Sequence, residues 1–275
     1  MERPARRSPY LGTASALIGA ILAASPVSAH EFWIEPADFS IEADATIEAD
    51  LRVGQDFTGD AFPYIPSRFA AFERHDRLGA ADVDGVTGDL PALSLLPRTE
   101  GLSIFTYVSA GERIRFRQWD KFQFYLDYEG LDKIAAAHDA RGLPRDDIRE
   151  IYTRCAKTLV AVGDAEADQD RAIGMRLELV AADTPSKLVP GAEISFTLLW
   201  EGGALPDTQV ALFYKKGTAD EATRTLTRTD GNGRASFTLP ASGSYMAASV
   251  HMIEAGPDRN ADWQSYWASL TFGVE

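Results

Sequence analysis

A surplus of acid marks this chain of 275 residues: 41 Asp and Glu stand against 27 Lys and Arg, a formal charge of −14, which disfavours nucleic acid and anionic lipid as partners. With 45% hydrophobic and 25% charged residues the composition is globular, long enough for one large or two modest domains. The single cysteine excludes an intramolecular disulfide.

Residues 1–29 stand apart from the rest. MERPARRSPY carries three arginines and one glutamate, LGTASALIGAILAA is apolar and uncharged, and SPVSA ends on small residues in a V-x-A pattern. A basic start, a short apolar run and a small-residue site predict a cleaved secretory signal peptide over 1–29. The apolar run is too short to span a bilayer comfortably. The chain is therefore expected to be exported, with no stable membrane insertion after cleavage. Cleavage after Ala29 makes His30 the first residue of the working protein.

From residue 30 to about 124 the pattern is strand-like. TIEADLRVG alternates, and LSIFTYVSAGERIRFRQ alternates around a glycine turn. Gly, Pro and Asp punctuate the segments, which predicts an N-terminal β-sandwich over 30–124. Residues 125–163 change character. YLDYEGLDKIAAAHDARG and PRDDIREIYTRCAKTLVAVG have helical spacing, with Pro144, Asp146 and Asp147 as a start and Gly163 as a stop. A helical hairpin is predicted there, with Cys155 a buried, inert thiol on its second helix. DAEADQDRA, within an acidic linker over 164–173, lacks the glycine and closing glutamate of a calcium loop and reads as solvated.

Over 174–275 the strand pattern returns. MRLELVA, EISFTLLW, TQVALFYK, ATRTLTRT, RASFTLP, SYMAASVHM and YWASLTFGV are seven candidate strands with turns between them, the spacing of an immunoglobulin-like sandwich. In TDGNGR, turn chemistry accounts for Asp230 and Asn232 more simply than calcium does. Asp258, Asn260 and Asp262 in DRNADW likewise read as an Asx-rich turn. The expected fold class is mainly β: two immunoglobulin-like β-sandwiches with a short helical hairpin between them.

Catalytic motifs are absent: there is no G-x-S-x-G, H-E-x-x-H, C-x-x-C or phosphate-binding glycine loop. Trp33, Trp119, Trp263, Tyr266 and Trp267 suit a carbohydrate face or, at alternating strand positions, a core. Four histidines remain as candidate ligands. His75 sits in a polar turn-like stretch. His138 falls near the end of a predicted helix, where a protonated imidazole favours the dipole.

His30 and His251 are the metal candidates. A free N-terminal histidine offers its α-amine and its imidazole Nδ1 to one ion, and a further imidazole completes a planar, three-nitrogen histidine brace suited to Cu(II) or Ni(II). His251, where the strand SYMAASVHM hands over to a loop, is the expected third nitrogen. A frayed N-terminus and a partly buried strand histidine are the plain alternatives.

AHEFWIEP, VGQDFTGDAF, FQFYLDYEGLDKI leading into REIYTRCAKTLV, and DWQSYWASLTF, in that order over about 30–275, resemble the DUF4198 family. Members of that family are often described as periplasmic components of cobalt or nickel uptake systems. The resemblance implies an exported two-sandwich protein near metal handling and leaves the metal's identity open; Ni, Co or Cu is the expected ion and an inner-membrane uptake transporter the expected partner. The resemblance carries over His30 and, less directly, His251. The expected function is capture or delivery of a transition metal. A copper histidine-brace oxidoreductase and a metal-free envelope interaction module stand as alternatives.

Overall fold

Alternating side chains and frequent turns build strands that recur from one end of the described chain to the other. The computed structural model describes residues 31–184, 187–217 and 221–275. The predicted signal peptide and His30 lie outside the described residues. In chain order the first elements are β1 (Glu31–Pro36), β2 (Ser40–Ile41), β3 (Ile47–Gln55), β4 (Thr58–Phe62), β5 (Phe69–Asp76), β6 (Gly79–Asp82), β7 (Leu93–Leu95), β8 (Gly101–Ser109) and β9 (Glu112–Phe116). The helices α1 (Trp119–Glu129) and α2 (Ile134–Ala140) follow, then β10 (Ile148–Val162). The remainder is β11 (Leu177–Ala181), β12 (Glu193–Trp200), β13 (Gly203–Ala204), β14 (Gln209–Lys215), β15 (Thr223–Arg228), β16 (Arg234–Thr238), β17 (Gly243–Glu254) and β18 (Trp263–Val274). Among the described residues no helix is long and apolar enough to cross a membrane.

These strands form three sheets. The first is ordered β1-β3-β4, with β7 also on β3. The central sheet runs β15-β14-β17-β18-β10-β8-β5-β6, with β2 and β9 also on β10. The third is β11-β12-β13, with β16 also on β12. Period-two alternation decides what each face of the central sheet meets. In β18, Tyr266, Ala268, Leu270 and Phe272 face the third sheet and its Leu179, Phe196 and Phe237. Trp263 and Trp267 face the helices. On that same side, the hydroxyls of Ser269 and Thr271 donate to the carbonyls of Phe32 and Ile34 in β1 at 2.7 and 2.6 Å. The first sheet packs Phe32, Ile34 and Leu51 on Phe105, Tyr107 and Val160 of the central one. Each buried side chain of this size contributes roughly 2 kcal/mol.

The fold is thus mainly β, two sandwiches that share one central sheet and a helix pair between them in sequence. The sharing depends on β10 and β18, which pair in parallel from Glu150–Trp263 to Thr158–Thr271. All seven strands expected in the C-terminal region form. In α1, Phe122, Tyr125 and Leu126 make one apolar face, and the helix ends at Gly130, whose φ of 66° suits glycine.

Three expectations are corrected. The predicted second helix of the 125–163 hairpin is a strand: the helix pair is α1 and α2, and 148–162 is β10. Asp147 has φ 53°, which breaks helical backbone where the helix was expected to begin. From Arg154 to Val162 every residue is buried, so both faces of the strand are covered and alternation vanishes. Cys155 is buried as expected, its thiol raised by burial to about 11.

The acidic linker is not simply solvated. Lys157 Nζ lies 3.1 Å from Asp170 Oδ1 and 2.8 Å from Glu178 Oε1, all three side chains fully enclosed. Asp168 accepts the Leu102 amide at 2.7 Å. His138 does lie in the last turn of α2, but its ring is bonded within the core and not turned to the helix end. It is buried, its Nδ1 accepts from Trp263 Nε1 at 3.1 Å, and its Nε2 meets the Pro144 carbonyl at 3.0 Å. Those partners require a neutral ring with the proton on Nε2.

Candidate functional site

Of the two expected metal ligands, His30 lies outside the described residues. His251 lies within β17, paired with Tyr266 of β18. Its ring packs 4.6 Å from that of Trp200, and burial lowers its pKa, so it is neutral at pH 7. It shares the face of Tyr266, toward the third sheet, whereas β1 lies across the opposite face. The fold does not bring His251 to Glu31, the residue that follows His30. His75 is buried against Thr106 and Glu73, at 3.2 and 3.3 Å. Trp33, Trp263, Tyr266 and Trp267 are buried and Trp119 packs on the helical core, so these five aromatics form core and not a flat binding face. Asp230 accepts the amides of Asn232 and Arg234, as a turn residue does.

A set of acids that sequence patterns did not single out gathers near the start of β1. The β3–β4 hairpin prepares it. Gly54 and Gly59 face each other so closely that a Cβ on Gly54 would lie 1.9 Å from the Thr58 carbonyl oxygen. The two-residue turn places both Asp56 and Phe57 at positive φ, 53° and 58°, the primed hairpin geometry that normally favours Asn and Gly. Burial offsets the strain. Phe57 is fully enclosed, edge-on to Trp33 at 5.4 Å, with Lys215 Nζ 4.7 Å from its ring centre. The turn sets Asp56 before Tyr128 of α1, whose hydroxyl donates to it at 2.5 Å, and directs the Asp56 backbone at the Glu31 carboxylate.

Glu31, Glu129 and Glu150 are the core of the set. Glu31 is 6% exposed, and its Oε2 has no hydrogen-bond partner. Burial, then the charge of Asp56, raise its pKa to about 7. Glu129, half-buried in the last turn of α1, is raised to about 8 by burial and by the charge of Glu31, with Glu150 adding to it. Glu150 is 1% exposed. Its Oε1 accepts from Tyr125 at 3.1 Å and from Ser265, its Oε2 has no partner, and burial raises it to about 7. Arg224 lowers Glu31 and Glu129, but its guanidinium lies 3.9 Å over the Tyr128 ring and donates to the Tyr128 carbonyl.

Buried carboxyls with orphaned oxygens and raised pKa values hold protons near neutrality or take a cation in their place. A positive charge would satisfy the unpartnered oxygens of Glu31 and Glu150. Among the described residues alone, no group of three or more His, Cys, Asp or Glu is arranged to hold a metal ion. A cation here needs donors from outside them.

Fold and site together describe a β-sandwich protein with an unneutralised acid cluster at the head of its first strand. The chain belongs to the family of the domain of unknown function DUF4198, whose model matches residues 27–253. No curated protein matches it in sequence. Likeness to solved structures is slight. The adhesin InvE of Yersinia pseudotuberculosis is 11% identical at a TM-score of 0.23, over 87% of this chain and 58% of that one. Three N-terminal domains of the bacteriophage RB49 highly immunogenic outer capsid protein are 8% identical at 0.22, over 90% and 71%. A tetra-tandem repeat in the extending region of a large adhesion protein is 15% identical at 0.21, over 89% and 49%. Similarity this low carries no functional argument.

Proposed function

We propose that this chain is an exported protein that captures or delivers a transition metal ion, nickel, cobalt or copper, for uptake through an inner-membrane transporter. His30, freed as the first residue by signal cleavage, anchors the ion through its α-amine and imidazole. Their unperturbed pKa values, about 7.7 and about 6.5, let both give up protons at neutral pH without large cost. The observation that carries the reading is the unpartnered, buried carboxylate oxygen of Glu31, one peptide bond beyond His30. Glu129, whose carboxyl burial and then the Glu31 charge raise to about 8, gives up its proton as the ion binds. Release into a transporter needs ligand exchange, which an incomplete coordination sphere favours. The geometry favours these acids over His251, whose ring faces the other side of the central sheet.

Calorimetry with Ni(II) and Cu(II) on the processed chain tests this. One extra residue ahead of His30 is expected to weaken binding at least about tenfold, a loss of about 1.4 kcal/mol. Glu31→Gln is expected to weaken it in the same direction, and His251→Ala to leave it unchanged. Equal affinity in the extended chain rules out the N-terminal anchor. A large loss in His251→Ala restores the three-nitrogen brace.

A further inference from the structure

On the opposite face from Glu31, a cleft of about 390 Å³ opens where the third sheet leaves the central sheet uncovered. Its chemistry runs against the charge of the chain. Arg113, Arg176 and Arg259 line it and no carboxylate does, although the chain has 41 acidic residues. Arg113 spends its guanidinium on the backbone carbonyls of Asn260 and Arg259, at 3.2 and 2.9 Å, and has no carboxylate partner among the described residues. Arg259 is exposed, and its side chain has no hydrogen bond or ion pair among them. Arg176 pairs with Glu201 at 2.7 Å, but that pair is about half exposed and so weakly held.

The floor adds neutral donors. Tyr266 is buried, and both Arg176 and Gln264 donate to its hydroxyl oxygen, which leaves its own proton without an acceptor among the described residues. The Arg176 guanidinium lies 4.7 Å over the Tyr266 ring, and Arg259 lines the same cleft. The Thr153 hydroxyl also lines the cleft without a partner. Val108 and Ile151 supply apolar wall, which suits carbon better than a bare inorganic ion.

We propose that this cleft binds a small organic anion with two or three carboxylates. Guanidinium groups match carboxylates as paired donors, and the neutral hydroxyls fill the remaining acceptor positions. The site is independent of the metal reading, because it uses other residues on the other face.

Calorimetry at low salt on metal-free chain, with citrate, glutarate and inorganic phosphate as probes, tests it. Citrate or glutarate is expected to bind with Kd below about 1 mM, and phosphate more weakly. Arg259→Gln, at an exposed and unpaired side chain, is expected to weaken binding about tenfold with the melting temperature unchanged, the worth of one charge-assisted hydrogen bond. Arg113→Gln does the same but also frees the 259–260 turn, so Arg259→Gln is the deciding variant. Salt at 0.5 M is expected to weaken binding further. Absence of binding by both carboxylates, unchanged binding in Arg259→Gln, or phosphate binding as tightly as citrate overturns the proposal.

Discussion

Two sets of buried acids lie on opposite faces of the central sheet, and they are provided for differently. Around Lys157, Asp170 accepts from the ammonium and from the amides of Arg171 and Ala181. Glu178 accepts the amides of Ile173, Gly174 and Met175 and meets the same ammonium. Around Glu31, one oxygen each of Glu31 and Glu150 has no donor, and the one guanidinium that acts on Glu31 and Glu129 is bonded to Tyr128. The first set ties 164–173 to the sheet and is finished by its own residues. The second keeps acids protonated or awaits a positive charge. A charge is tolerable inside a protein when donors surround it, so the unfinished set is the place to look for function.

The sharpest way to break this comparison is Lys157→Met, which leaves Asp170 and Glu178 enclosed without their cation. A loss of about 3–5 kcal/mol in urea unfolding is expected. A loss under about 1 kcal/mol would mean that the two sets are alike. The next effect concerns pH. The Glu150 carboxyl has an ordinary value of 4.5 and sits at about 7 when folded. Between those values the folded chain keeps a proton that the unfolded chain releases. Its contribution to stability is therefore present below pH 4.5 and lost as pH rises toward 7, at up to about 1.4 kcal/mol per pH unit. Unfolding of Glu150→Gln measured across that window should lack this component of the slope. The smallest effect is on the surface. Arg77→Ala removes the partly exposed pair with Asp168 and should cost less than about 1 kcal/mol, since Asp170 still anchors the segment.

The seven C-terminal strands are readable because each is a short run closed by turn residues: β16 alternates cleanly, and β14 is a continuous apolar stretch of strand length. β10 is not. Pro144, Asp146, Asp147 and Gly163 imitate helix boundaries, and Arg154 and Lys157 imitate a solvated helix face. In the fold both are buried, Lys157 by its two acids and Arg154 beside the rings of Phe32 and Tyr152. The acid cluster left no local pattern to read. Glu31, Glu129 and Glu150 come from a strand, a helix end and another strand, and each alone resembles a surface glutamate. His30 stood out because cleavage chemistry, and not spacing, singles out a first residue. His251 stood out by its position near a strand end, but alternation turns its ring toward Trp200.

The parallel pairing of β10 with β18 has a consequence for how the molecule is made. Parallel neighbours cannot be joined by a tight turn, and here more than a hundred residues separate the paired positions. Chains cut before Trp263 leave one edge of β10 unpaired from Glu150 to Thr158, an open template for aggregation and a target for proteases. β18 closes the sheet like a keystone, and neither sandwich reaches its finished form before that strand arrives.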